Sequence, residues 1–125
     1  MKNGRYVNED SNQVCWYLND QLHREDGPAL ENSDGTKEWY LNDQLHREDG
    51  PALELASGNK SWWINGKRHR EDGPAIELAS GTKSWFLNGE QLTESEFNQW
   101  LMKKELNEKL HATFEPRPTE KRLKI

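Results

Sequence analysis

One tetrad of chemically capable side chains occurs three times: His23-Arg24-Glu25-Asp26, His46-Arg47-Glu48-Asp49 and His69-Arg70-Glu71-Asp72. An imidazole beside carboxylates can move a proton or ligate a metal. An imidazole beside a guanidinium can hold an anion. The same residues can instead close a turn. The Asp before Gly-Pro then accepts backbone N–H groups in an Asx-type turn, and the Arg bridges in a planar fork to a carboxylate of a neighbouring unit. The His lies along the sheet and donates one ring N–H. A catalytic centre is usually one asymmetric constellation, so three copies at fixed spacing read as structure. A row of His/Arg anion pockets and a His/Asp metal row stay open beside that reading. No Ser-His-Asp order, P-loop, GxGxxG or HExxH occurs, so no catalytic residues are assigned. Cys15 is the single cysteine, which excludes an internal disulfide and a thiolate zinc site. The expectation is a protein without enzymatic activity, metal or cofactor.

The tetrads sit inside a longer repeat. Trp16, Trp39, Trp62 and Trp85 are spaced by 23 residues, and the run from Trp16 to Leu30 recurs letter for letter from Trp39 to Leu53. The third copy, from Trp62 to Ile76, reads WWINGKRHREDGPAI. Subtracting one period places Asn12 where Gly35 stands and Val7 where Leu30 stands, so residues 3–15 read as a half-unit with Asn12 at the turn glycine. Each Trp stretch is short, aromatic and ends in Asn-Asp or Asn-Gly, the signal for a type I′ hairpin. A second strand follows Gly-Pro-Ala, where Pro74 and Gly73 predict a bulge or kink. Alternation puts Trp62 and Ile64 on one face and Trp63 on the other. This pattern predicts eight strands in an antiparallel meander, with rows of Trp forming a thin buried core. A Trp ladder open to bases or sugars is the alternative.

The unit WWINGKRH at 62–69, its 23-residue period and its hairpin start resemble MORN repeats. The closer resemblance is to a MORN-like variant with the signature W-[YWF]-x-N-G-x-x-H-R-x-D-G-P-A, found in tailed bacteriophages and some bacteria. It covers about residues 3–97. It implies a twisted meander with one hairpin per repeat, acting as an interaction module. Here Arg-Glu-Asp-Gly-Pro follows the His where the usual unit has Gly.

The fourth unit departs from the signature after Gly89. Thr93-Glu94-Ser95-Glu96 is a capping box, and residues 94–112 read as a helix that caps the last sheet edge. Trp100 and Met102 lie about 200° apart around it, so one of them should be exposed. Pro116 and Pro118 predict an extended basic tail over 113–125. The domain reading is a repeat sheet over 1–92, a helix over 93–112 and that tail.

Composition bounds the function. Apolar residues make up 32% of the chain, against roughly 45–50% in an average domain, and no run of about 20 apolar residues could span a membrane. Residues 1–102 carry 10 basic and 18 acidic side chains, and residues 103–125 carry 7 and 4. An acidic body does not suit phosphate neutralisation, so neither nucleic acid nor membrane is expected as a partner. The N-terminus has no apolar signal region, and the expected compartment is the cytoplasm, that of the host if the chain is phage-encoded. The leading expectation is a non-enzymatic binding protein, and the resemblance to phage repeat proteins implies that it inhibits a host protein such as a defence or toxin component. A nucleotide or anion sponge and an assembly protein, including a homo-oligomer, are the alternatives. Positions that break the repeat point to the partner-binding residues: Trp63, Lys67 and Arg68 in the third unit, and Trp100 and Met102 on the helix.

Overall fold

The computed structural model describes residues 1–114, with side chains as far as Ala112. Within them the chain forms β1 (Gly4–Asn8), β2 (Gln13–Leu18), β3 (Gln21–Leu22), β4 (Leu30–Glu31), β5 (Lys37–Glu38), β6 (Tyr40–Leu41), β7 (Gln44–Leu45), β8 (Leu53–Glu54), β9 (Lys60–Ser61), β10 (Trp63–Ile64), β11 (Lys67–Arg68), β12 (Ile76–Glu77), β13 (Lys83–Leu87), β14 (Glu90–Leu92) and α1 (Glu94–Phe114). The fold is mainly β, an antiparallel meander of repeated hairpins followed by one helix. Met1–Thr93 and the segment from Glu94 are separate compact units.

Each Trp divides its unit between two ladders, which explains why fourteen short strands stand where eight were expected. Residues before the Trp pair with the Ala-Leu strands on both sides. Glu38 lies opposite Leu30 and Leu53, and Ser61 opposite Leu53 and Ile76. Residues after the Trp fold back as a hairpin, with Tyr40 opposite Leu45 and Trp63 opposite Arg68. The Trp backbone serves both: the Trp39 N–H donates to the Ala52 carbonyl (2.8 Å), and the Trp39 carbonyl accepts from the His46 N–H (3.0 Å). The first ladder belongs to a ten-stranded sheet, ordered β1-β2-β4-β5-β8-β9-β12-β13-β14 with β3 beside β2. The β6–β7 and β10–β11 hairpins are separate two-stranded ladders. Successive hairpins are laced together: the Arg47 N–H donates to the Trp63 carbonyl (3.0 Å), and the Gly66 N–H to the Leu45 carbonyl (2.9 Å).

The hairpin turns follow the sequence reading. Both central residues have positive φ in Asn19-Asp20, Asn42-Asp43, Asn65-Gly66 and Asn88-Gly89, as a type I′ turn requires. Asn12 also takes a positive φ of 59°. The half-unit is nevertheless slipped by one residue, because Tyr6, not Val7, lies opposite Cys15. Its turn closes from the Asn12 N–H to the Asn8 carbonyl, whereas the next closes from the Gly35 N–H to the Asn32 carbonyl, one residue tighter.

The expected Trp core is corrected. Among the described residues the fully buried ones are Ala29, Ala52 and Ala75, each at 0% exposure, while Trp16, Trp39, Trp62 and Trp85 are half-buried. Each Ala precedes the Leu or Ile of its strand and so points to the face that carries the Trp rings. It sits where the ladders meet: its carbonyl accepts the Trp N–H, as Ala29 does from Trp16 at 2.7 Å. The indoles of Trp16, Trp39 and Trp62 are themselves covered by arginine, as described below.

α1 begins after Thr93 with Glu94 and Glu96 in its first turn, where the helix dipole favours acids. It runs to Phe114, so the helix extends into the stretch read as an extended tail. The remainder of that tail, 115–125, lies outside the described residues. Among the described residues no helix is long and apolar enough to cross a membrane.

Candidate functional site

The repeated tetrad builds a clasp. The Arg47 guanidinium carbon lies 3.9 Å from the centroid of the Trp39 ring. Its Nε–H donates to Asp49 Oδ1 (2.9 Å) and an Nη–H to the Pro51 carbonyl (3.0 Å), while Glu54 is 3.9 Å away. Arg24 repeats this on Trp16 (4.2 Å) with Asp26 and Pro28. Arg70 repeats it on Trp62 (3.9 Å) with Asp72 and Pro74. Each guanidinium also lies against a glycine: a Cβ on Gly50 would lie 2.9 Å from Arg47 Cζ, and Gly27 and Gly73 are alike. Gly73 therefore leaves room for the Arg70 guanidinium.

Two expected contacts are corrected. The carboxylates of Asp26, Asp49 and Asp72 accept from arginine and not from buried backbone N–H groups, and they are 84–86% exposed. The arginines bridge within their own unit and not to the next. Of the tetrad, the histidine is the residue whose side chain ties one unit to the next. The Asn65 N–H donates to His46 Nδ1 (2.9 Å), Asn42 to His23 (3.1 Å) and Asn88 to His69 (2.9 Å). An accepting Nδ1 places the proton of a neutral ring on Nε2. That nitrogen faces Glu48 (3.5 Å) in one copy and Glu71 (2.9 Å) in another. Asx-type turns form instead at Asp34, which accepts from the Thr36 N–H (2.9 Å), and at Asn8, which accepts from the Asp10 N–H (2.9 Å). The hydrogen bond from Thr36 holds the Asp34 carboxyl below the ordinary carboxylate range. The Asp49 carboxyl is lowered by its hydrogen bond from Arg47 first and by the Arg47 charge second.

Consecutive clasps enclose open clefts. One, of about 700 Å³, lies over Trp62 and Ile64 between residues 47–50 and 69–72. The other, of about 650 Å³, lies over Trp39 and Leu41 between residues 24–27 and 46–49. Each is lined by two guanidiniums against four carboxylates, with one histidine. Both volumes fall within the roughly 300–1,000 Å³ of ligand sites. Sequence reasoning missed Leu41 and the glutamates of the tetrads as lining groups. Alternation had already placed Ile64 beside Trp62, and the same rule finds Leu41.

The residues that break the repeat are not gathered here. Trp63 and Arg68 pair across β10–β11 on the opposite face from Trp62, with Arg68 Cζ 5.0 Å from the Trp63 ring and 5.4 Å from that of Phe86. Trp63 Nε1–H donates to Ser61 Oγ (2.7 Å). Lys67 is exposed. On α1, Met102 is 69% exposed. Trp100 is half-buried, its ring 5.7 Å from that of Phe97. Among the described residues no three His, Cys, Asp or Glu groups converge as metal ligands. No family model, curated protein or solved structure matches the chain.

Proposed function

We propose that this chain is a non-enzymatic binding module whose partner is a protein. Following the resemblance to phage repeat proteins, that partner is a host protein, such as a defence or toxin component, met in the host cytoplasm. One observation supports the reading above the others: the repeated arginines are already held by a ring, an aspartate, a carbonyl and a glycine contact. They close the loops, and what the loops present outward is carboxylate. A regular face of equivalent clefts suits a macromolecule that spans several units.

A nucleotide or anion sponge is the second reading, favoured by the near-equal volume and lining of the two clefts. Stoichiometry separates the two. The charge-reversed variant Glu48→Arg/Glu71→Arg is compared with the native chain in capture from host cells, and both are titrated with ATP and with inorganic phosphate. The module reading expects one macromolecule bound per chain, lost in the variant, and no heat with either anion. Two nucleotides bound per native chain would establish the sponge instead.

A further inference from the structure

The ten-stranded sheet begins at a strand with one neighbour. Among the described residues β1 pairs with β2 alone and ends the strand order. All five of its residues are exposed. Sheet edges are usually blunted by shortness, proline or a bulge. β1 is five residues long where every strand from β4 to β12 has two, and it contains no proline.

The hydrogen bonds fix which of its backbone groups face outward. The Trp16 N–H donates to the Ala29 carbonyl (2.7 Å), and the Trp16 carbonyl accepts from the His23 N–H (2.9 Å). Both Trp16 backbone groups therefore point away from β1. Arg5 lies opposite Trp16. In an antiparallel ladder such a pair exchanges no bonds, and the N–H and C=O of both residues point outward. Val7, two residues on, is oriented like Arg5. At the end of the strand the Asn8 carbonyl accepts from the Asn12 N–H (2.7 Å) inside the hairpin, in keeping with that alternation. The edge thus offers the donors and acceptors of Arg5 and Val7, spaced for one more antiparallel strand.

The side chains around this edge complement themselves. Lys2 and Arg5 stand at the start of β1, and Glu9 and Asp10 follow its end. A second copy laid antiparallel about Tyr6 sets Arg5 opposite Val7 of that copy, where the two exchange N–H···O bonds, and the two-fold axis repeats the exchange. Each basic end then meets an acidic end, with Glu9 of the second copy diagonal to Arg5. Parallel pairing would set basic against basic. Tyr6 meets its own equivalent across the axis. It is 41% exposed and packs edge-on to Tyr17, 5.5 Å between ring centroids, so the pairing extends an aromatic row.

From this we infer that β1 is a self-association edge: two copies of this chain join by antiparallel β1 pairing centred on Tyr6 and form one continuous sheet. The contact lies apart from the clefts, so the binding-module reading stands or falls without it.

The test follows the mass of the full chain against concentration by sedimentation velocity at low and moderate salt. A reversible monomer–dimer equilibrium that weakens with salt is expected. Val7→Pro removes a donor that faces the open edge and spares the β1–β2 ladder. It should keep the native circular dichroism spectrum and weaken dimerisation by about tenfold or more. Arg5→Glu and Glu9→Arg should each weaken it roughly tenfold, and Arg5→Glu/Glu9→Arg should restore it. Mixed together, the two single variants should pair with each other in preference to themselves, read by native mass spectrometry. A chain monomeric throughout, a dimer indifferent to these substitutions, or a double variant no better than the singles would overturn the inference. If Val7→Pro does not fold, the charge variants decide alone. Dimers lost instead in Met102→Ser/Leu106→Ser would move self-association to α1 and overturn it equally.

Discussion

Asp49 and Glu48 are adjacent carboxylates of one loop with different duties. Asp49 accepts the Arg47 Nε–H, and its carboxyl is held below the ordinary range by that bond and then by the charge. The unfolded value is about 3.9. A depressed folded value adds stability above the unfolded value, and that stability is lost as pH falls through the folded one. The contribution is small because the pair is exposed. Urea melts of Asp49→Asn should therefore run slightly below the native chain from neutral pH to about pH 5 and converge with it in stronger acid. An offset that persists undiminished to the acid limit would contradict the pairing. The repeated tetrad was legible from the sequence as a structural device, but its wiring was not. Which acceptor an arginine finds depends on the ring it lies on and on the space above Gly50, and neither is visible along the chain.

The hairpin shows the same limit at the level of the element. Asn42-Asp43 and Asn65-Gly66 were readable as type I′ turns because both central residues need positive φ. Asp43 adopts φ 66° without the freedom of glycine, and its Oδ1 accepts the Leu22 N–H (2.6 Å), a bond Gly66 has no side chain to make. Asp43→Gly should relieve about 1 kcal/mol of left-handed strain and lose about 1 kcal/mol of hydrogen bonding, leaving stability within about 1 kcal/mol of native. Asp43→Ala keeps the strain and loses the acceptor, so it should cost about 1–2 kcal/mol in a denaturant melt. Equal losses in the two variants would show that the carboxylate, and not the backbone, governs this turn. The one-residue slip of β1 escaped the sequence because the period was extended through a turn that is one residue wider than the others. The Trp core was overestimated for a related reason. Alternation assigns a face correctly, but it does not reveal that Arg24, Arg47 and Arg70 cover the indoles while Ala29, Ala52 and Ala75 fill the junction.

The repeat unit, residues 1–93, is close to one-dimensional. Each of the three tetrad segments closes its own loop through Trp, Arg, Asp and Gly and ties to the next through His and through backbone bonds. Such arrays gain stability by nearest-neighbour contacts, and their regular outer face is set by whichever side chains the ties leave over. Here Glu25, Glu48 and Glu71 line that face beside the indoles of Trp39 and Trp62. Two neighbouring residues thus have opposite roles, Arg47 in the fold and Glu48 at the surface. A side-by-side denaturant melt of Arg47→Ala and Glu48→Gln tests that division most directly. Arg47→Ala should lose roughly 2–3 kcal/mol, from the ring stack, the Asp49 and Pro51 bonds and the opened gap above Gly50. Glu48→Gln should stay within about 0.5 kcal/mol of the native chain. Native stability in Arg47→Ala, or a loss in Glu48→Gln as large as that expected of Arg47→Ala, would contradict the account.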